Sequence, residues 1–194
     1  MKVLSVNVGK PRIVEYNGEP LATGIFKNPK EGPVRVGALN LEGDGQADLR
    51  VHGGVNKSVY VYPSEHYEFW RAELPQLNLN YGVFGENLTI SGILEGDVRP
   101  GDTLQIGTAE FSVTIPRYPC FKLGIRFMHL EAESAVPAGS SDIIRRFVKA
   151  GRSGFYLQVL QTGELKATDQ IKLAQLGSGE TISETYRERL KRHD

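Results

Sequence analysis

The residues at 113–127, VTIPRYPCFKLGIRF, contain the single cysteine of the chain, Cys120. Two prolines bracket Arg117 and the tyrosine that follows it, and proline keeps the neighbouring backbone extended. We therefore expect a strand that gives way to a stiff loop presenting Cys120. Arg117, Lys122 and Arg126 lie close by in sequence, and nearby cations stabilise a thiolate. This pattern favours a nucleophilic or metal-binding cysteine, while the alternative is a small buried hydrophobic residue.

The segment VHGGVNKSVYVYP at 51–63 combines a glycine turn with a strand. Gly53 and Gly54 permit a tight turn with exposed N–H groups, and Lys57 beside it suits the turn to a phosphate or another oxyanion. His52 has no second histidine or cysteine at metal-ligand spacing, which favours a hydrogen-bonding role over a zinc site. The other histidines are expected to be solvated: His66, His129 and His193.

Two further segments place polar side chains next to glycines. YGVFGENLTISG at 81–92 delivers Asn87 to the start of a predicted strand. Because an amide both donates and accepts, Asn87 is suited to the edge of a heterocycle or to a turn. In AGRSGFYLQVL at 150–160, Gly151 is explained as a helix end, but Arg152 is not. The planar fork of donors on Arg152 is what phosphate recognition favours.

The composition is that of one ordinary globular domain without overall charge. Lys plus Arg and Asp plus Glu number 23 each, so no global field would draw the chain to nucleic acid or to an anionic membrane. The opening MKVLSVNVGKPR is too short and too polar for a signal peptide or a membrane span, which makes the cytoplasm the expected location. A lone cysteine excludes an internal disulfide and an iron–sulfur cluster held by this chain's own thiolates.

The glycine and proline content indicates short strands and turns rather than a helical bundle. The chain has 22 glycines and 10 prolines, which helix interiors avoid. Alternating apolar residues predict strands around 4–8, 59–62, 111–115 and 155–159. Such short runs predict a β-barrel or sandwich with one packed face per strand.

Three helices are also predicted. Ser64 caps the first, and the second runs from 141 or 142 to 150 and stops at Gly151. The third follows a glycine-rich stretch, where Thr181 and Glu184 form a capping box. We place the one candidate boundary at this stretch, between a main domain at 1–176 and a helical extension at 177–194. The narrow apolar stripe of that extension is expected to pack on the body or on a partner.

Four segments, taken together and in this order, resemble the signatures of the molybdenum cofactor sulfurase C-terminal (MOSC) family: HGGVNKSVYVY, FGENLT, PRYPCFKL and GRSGFYLQVL. The opening SVNVGKPR and the GDGQAD at 43–48 resemble its bacterial, YiiM-like branch in particular. The resemblance covers about residues 1–173, and the cysteine segment is its most specific part. It implies that the main domain is a closed β-barrel, like the pyruvate kinase barrel domain, with a few peripheral helices.

The resemblance also implies a bound molybdenum cofactor, a metal carried by a phosphorylated pterin (molybdopterin). Cys120 is then the molybdenum ligand and the catalytic residue. The residues implied to hold the cofactor are His52, Gly53, Gly54, Asn56, Lys57, Asn87, Arg117, Lys122 and Arg152. Three positions depart from the branch, with Ile115 in place of glutamine, Asn56 in place of aspartate and Phe121 in place of tryptophan. These departures leave the ligand intact and concern substrate preference.

By resemblance, the leading hypothesis is an oxidoreductase that reduces N-hydroxylated compounds, such as N-hydroxylated purine base analogues, to the amine and water. The chain has neither cluster cysteines nor a GxGxxG fingerprint, so the electrons are expected from a separate reductase, a flavoprotein. The expected partners are this reductase and a small N-hydroxylated substrate, without nucleic acid or membrane.

Three alternatives stay open. A non-catalytic cofactor carrier or a sulfur-transfer module would also use Cys120, and a persulfide on its sulfur would reveal the latter. A cysteine hydrolase needs a histidine base near the thiol, and the sequence does not place His52 or His129 against Cys120. The third alternative is a plain barrel in which the thiol is buried and inert.

Overall fold

The computed structural model describes residues 1–48, 53–135 and 142–192, in which twelve strands and four helices are found. The strands are β1 (Lys2–Val8), β2 (Arg12–Tyr16), β3 (Glu19–Thr23), β4 (Asn28–Pro29), β5 (Val34–Val36), β6 (Val59–Pro63), β7 (Leu88–Ser91), β8 (Thr103–Ile106), β9 (Ala109–Pro116), β10 (Phe155–Gln161), β11 (Gly163–Leu165) and β12 (Ile171–Gln175). The helices are α1 (Glu65–Glu73), α2 (Phe121–Ser134), α3 (Ile143–Ala150) and α4 (Ile182–Lys191). None of these helices is both long and apolar enough to cross a membrane.

Eight strands form one mixed sheet in the order β12, β8, β9, β10, β6, β7, β1, β4. Neighbouring strands are antiparallel except β6 and β7, which run parallel. Two small antiparallel pairs accompany the sheet, β5 with β11 and the hairpin β2 with β3. The four predicted strand regions coincide with β1, β6, β9 and β10, and these predictions are confirmed.

The sheet is open, so the prediction of a closed β-barrel is wrong. Among the described residues, no ladder joins the two edge strands β12 and β4. The edge strand β4 has only two residues, and Pro29 has no N–H group with which to extend a ladder. An isolated bridge joins Lys2 to Gln170, which lies just before β12, but it does not extend into paired strands.

Strand β6 is buried on both faces, so the expectation of one packed face per strand does not hold there. Val59 and Val61 belong to the larger apolar core that β1, β9 and β10 share. Tyr60 and Tyr62 lie on the other face, in a second core that the helices α1, α2 and α3 complete. In that second core the Trp70 indole N–H donates to the Tyr62 hydroxyl over 2.8 Å. Tyrosines fit this face because the helices cover their rings while their hydroxyls find partners.

The three predicted helices are confirmed. α1 begins after Ser64, but the Ser64 side chain makes no capping hydrogen bond. α3 ends at Gly151, whose φ of 64° is the left-handed conformation that glycine adopts most easily. Both hydrogen bonds of the capping box between Thr181 and Glu184 are present at the start of α4. The buried side chain of Ile182 joins the main core, so α4 packs on the rest of the chain.

Candidate functional site

Cys120 lies where the loop after β9 meets α2. β9 ends at Pro116, and Cys120 is the extended N-cap residue of α2, as the bracketing prolines predict for a stiff loop. α2 was not predicted from the sequence, although its buried face carries Leu123, Phe127 and Leu130 at helical spacing. The N-terminus of a helix carries partial positive charge, which favours an anionic sulfur on Cys120.

The Cys120 side chain is half-buried and lines a cavity. The described wall comes from residues 23–27, the loop at 44–47, the segment 84–87, the loop at 117–122, and single residues of β6 and β10. Segments far apart in sequence therefore meet around one sulfur atom. This arrangement disagrees with the plain barrel alternative, in which the thiol is enclosed by apolar neighbours.

Cations outnumber anions among the described residues of this cavity. Lys27, Lys57, Arg117 and Lys122 line it, with Asp44 as the one carboxylate. The Lys27 ammonium is paired with Asp44, and the Asp44 side chain is almost fully buried. The Lys122 ammonium donates to the Ala22 carbonyl over 3.2 Å, which fixes it near the first turn of α2. An anionic ligand would therefore meet a local positive field although the whole chain is neutral.

Arg117 is the most constrained of these cations, with 4% of its surface exposed. Its guanidinium lies between two rings, 5.3 Å from the centroid of Tyr60 and 5.1 Å from that of Phe147. Burial by itself lowers the pKa of Arg117, but the phenols of Tyr60 and Tyr156, and then Cys120, raise the pKa above its ordinary value. The buried Nη1 atom of Arg117 has no hydrogen-bond partner in the described structure. A buried guanidinium nitrogen without an acceptor is costly, so this atom indicates a place for an anionic ligand.

Asn87 lines the cavity, but its side chain is occupied by the fold. Its Oδ1 accepts the Tyr60 N–H over 3.0 Å. Its Nδ2 donates to Asp44 over 2.9 Å and to the Asn7 carbonyl over 3.3 Å. These three bonds join β1, β6 and the 44–47 loop. The sequence left Asn87 either a ligand-binding or a structural role, and its described contacts are structural.

The predicted glycine turn at 53–57 lies next to the cavity and contributes one residue to the cavity wall. Gly54 has a φ of 87° and precedes a single 3₁₀ turn, Val55–Lys57. Lys57 lines the cavity, whereas Gly53, Gly54 and Asn56 are not among the lining residues. The Asn56 carbonyl instead accepts the Thr114 hydroxyl over 2.7 Å. The prediction for His52 lies outside the described residues.

Arg152 lies away from the cavity wall, in a buried polar network. Its Nη1 donates to His66 Nδ1 over 3.1 Å, and its guanidinium lies 4.5 Å from the centroid of Phe69. Since a guanidinium only donates, His66 carries its proton on Nε2, which lies 2.8 Å from Glu95. His66 is therefore buried and paired, and the prediction that it is solvated is wrong.

The network connects to the site through the backbone of β10. Glu95 accepts the Gly154 N–H over 2.6 Å, and the Gly154 carbonyl accepts the Arg117 N–H over 3.2 Å. Glu95 and His66 thus fix Gly154 at the start of β10, and Gly154 in turn accepts the backbone hydrogen bond of Arg117.

Lowering the pH should weaken the fold through Glu95. Burial favours the neutral form and raises the pKa of Glu95, but hydrogen bonds from His66 and from the Gly154 N–H outweigh it and hold the pKa below its ordinary value of 4.5. A lowered folded-state pKa gives stability that is present above the unfolded-state pKa and is lost as pH falls through the folded-state value. Between about pH 5.5 and about pH 3.5, urea unfolding should show a steeper loss of stability in the wild type than in Glu95→Gln. Equal slopes for the two proteins would contradict this role.

Two features bear on the kind of chemistry. Neither of the histidines with a described side chain at 66 and 129 lines the cavity, so the described chain offers no histidine base for a hydrolytic Cys120. No three His, Cys, Asp or Glu side chains converge as a metal-ligand set in the described part of the chain.

Several cavity residues were not identified as candidates from the sequence. Lys27, Asp44, Gln46, Tyr60 and Tyr156 all line the cavity. Of these, Asp44 and Gln46 lie within the GDGQAD segment, which was noted for its resemblance alone. The tyrosines lie in strands whose alternation predicts burial but not a cavity, and no local signal marks Lys27.

Comparisons with known proteins agree with the motifs. The MOSC domain model matches residues 48–172. The chain is 39% identical over 192 residues to the uncharacterized protein YflK of Bacillus subtilis, covering 99% of this chain and 81% of YflK. It is 33% identical over 174 residues to a protein named reductase from Gibberella moniliformis, covering 88% of this chain and 29% of that longer protein.

A solved structure extends the similarity to the fold. The crystal structure of YiiM from Geobacillus stearothermophilus matches with a TM-score of 0.78 and 31% identity, covering 100% of this chain and 85% of that one. The family model covers more than half of the chain, and it includes both the glycine turn and the cysteine loop. The chain is a YiiM-like member of the MOSC domain family.

Proposed function

We propose that this MOSC protein binds the molybdenum cofactor in the cavity beside Cys120 and reduces N-hydroxylated compounds with electrons from a separate reductase. MOSC domains are associated with molybdenum cofactor binding. The reductase name of the longer fungal relative is consistent with a redox role for the domain.

The donor set around Cys120 is the observation that supports this proposal most strongly. A thiol, a nearly buried guanidinium with an unpartnered Nη1 and further cations line one cavity. A thiolate is a soft ligand of the kind that a dithiolene-bound molybdenum accepts, and a phosphorylated pterin needs cations. The residues present therefore fit the group, with Cys120 on the metal and Arg117, Lys122 and Lys57 on its anionic part.

The net reaction needs two electrons and two protons for each N–O bond cleaved, and it yields an amine and water. When bound, the cofactor would supply two-electron chemistry and an acceptor for oxygen. This chain would bind and orient the reactants. Tyr156 lines the cavity together with Arg117, and burial raises the pKa of its phenol above the ordinary value, so it remains a neutral donor in the cavity wall.

A turnover assay tests the proposal. Protein produced in a host that makes the cofactor would be mixed with N-hydroxyadenine and an excess of dithionite-reduced viologen as the electron donor, and adenine formation would be followed by chromatography. We expect adenine from molybdenum-loaded protein and none from protein produced with tungstate in the medium. Loaded protein that forms no adenine would contradict the reductase function and support the carrier alternative, and a persulfide on Cys120 by mass spectrometry would support sulfur transfer.

A further inference from the structure

We propose that Gln46 reads the hydrogen-bonding edge of a flat amino-heterocycle bound in the cavity. The inference rests on the proposed function and identifies a specificity-determining residue for it. The ligand class is a bicyclic ring with adjacent donor and acceptor groups, which describes both the pterin of the cofactor and an N-hydroxylated purine base.

Most polar side chains of the described wall are already committed to the fold. The Asn87 amide uses its acceptor and both donor hydrogens within the chain. The Lys122 ammonium donates to a carbonyl, and the Tyr60 hydroxyl donates to the Ser153 carbonyl over 2.9 Å. Asn87 therefore cannot bind a ligand edge without breaking a bond that holds the cavity together, Lys122 offers donors but no acceptor, and the Tyr60 hydroxyl has only its acceptor left.

Gln46 differs from them. It is half-buried at the cavity, and nothing in the described part of the chain hydrogen-bonds its carboxamide. Among the uncharged side chains of this wall, it therefore combines an available donor with an available acceptor. A carboxamide can pair with a ring that offers the complementary donor and acceptor side by side.

The backbone that leads into Gln46 is held in place. Asp44 accepts the Gly9 N–H over 3.0 Å and binds the Lys27 ammonium. Gly45 packs so closely that a β-carbon on it would lie 2.8 Å from Pro11 Cδ, and one on Gly24 would lie 2.5 Å from the Gly45 carbonyl oxygen. Glycine at both positions permits this approach, so the residue after Gly45 starts from a fixed position.

Aromatic rings complete a site for a flat ligand. Tyr60, Phe84 and Tyr156 line the same cavity, and the Tyr60 and Tyr156 rings lie 5.3 Å apart between centroids. Planar heterocycles bind against such surfaces, while a polar side chain at the edge sets orientation. The combination of apolar rings and one available carboxamide points to ring recognition, whereas Arg117 suits the anionic part of the ligand.

Binding of two probes to the cofactor-free protein tests the role of Gln46. Calorimetry would measure the affinity for pterin and for N-hydroxyadenine in the wild type, Gln46→Ala and the matched control Gln105→Ala, which lies on exposed surface of β8. We expect Gln46→Ala to weaken the binding of at least one probe about tenfold, because one polar partner of a partly desolvated ring is lost. Gln105→Ala should bind both probes as the wild type does.

A second variant separates the two ligand sources. Gln46→Glu offers acceptors only, which suits the adjacent amino and ring N–H donors of pterin but not the alternating edge of N-hydroxyadenine. Loss of both probes in Gln46→Ala, with pterin binding alone restored in Gln46→Glu, would assign Gln46 to both rings. Loss of base binding alone in Gln46→Ala would assign it to the substrate. Wild-type affinity of Gln46→Ala for both probes would overturn the inference and leave the proposed function standing. A wild type that binds neither probe would count against both.

Discussion

Cys120→Ser should abolish the retention of molybdenum. Serine nearly keeps the size and position of the side chain but replaces the thiol with a much less acidic hydroxyl, which gives up its proton to bind a metal far less readily. Changes to outer-shell residues alone cost roughly 10–100-fold in metal affinity, so loss of the protein ligand should cost more than about a hundredfold. Elemental analysis of wild type and variant purified in parallel from a cofactor-producing host measures the effect.

The matching control is the stability of the cofactor-free protein. Cys120 is half-buried at a helix N-cap, and serine is a better N-cap residue than cysteine, so urea unfolding should show no loss of stability. Molybdenum in Cys120→Ser at the wild-type ratio would contradict the assignment of this sulfur as the ligand.

Arg117→Met should separate ligand binding from folding. Without the guanidinium, the anionic part of the cofactor loses a charge-assisted partner in a buried place, which should weaken its retention by about 10–100-fold. Replacing a buried cation by an apolar side chain of similar length is often neutral for the fold, so the free energy of unfolding of the cofactor-free protein should fall by no more than about 1 kcal/mol. Pterin fluorescence after acid release measures the retained cofactor.

Arg126→Met is the matched control for that experiment. Arg126 lies on α2, and its buried Nε atom has no hydrogen-bond partner among the described residues, but Arg126 does not line the cavity. The Arg126→Met variant should therefore retain as much cofactor as the wild type does. Equal retention by Arg117→Met and the wild type would show that the orphaned Nη1 of Arg117 does not mark the anion site.

Strands and helices could be predicted from short stretches of sequence, because alternation and capping depend on residues that are close together in the chain. The alternation around Val59 placed β6, and the capping box at Thr181 placed the start of α4. The prolines around Arg117 predicted the loop that presents Cys120. α2 was not predicted, although the helical spacing of Leu123 and Phe127 is present in the sequence.

The pairing of distant groups could not be predicted in this way. Sheet closure depends on whether the edge strands meet, and no local signal separates an open from a closed arrangement of the same short strands. Arg152 donates a hydrogen bond to His66, which lies 86 residues away in sequence. The sequence could show that Arg152 is a hydrogen-bond donor, but it could not show which residue accepts. The hydrogen-bond partners of Asn87 also lie in distant segments of the chain, so they could not be predicted either.

X-ray absorption at the molybdenum edge of the loaded protein tests the central claim most directly. If Cys120 binds the metal, the wild-type spectrum should contain a protein thiolate in addition to the dithiolene sulfurs. Any molybdenum that remains in Cys120→Ser should lack this contribution. Identical sulfur coordination in the two proteins would contradict the claim that the cavity holds molybdenum through this side chain.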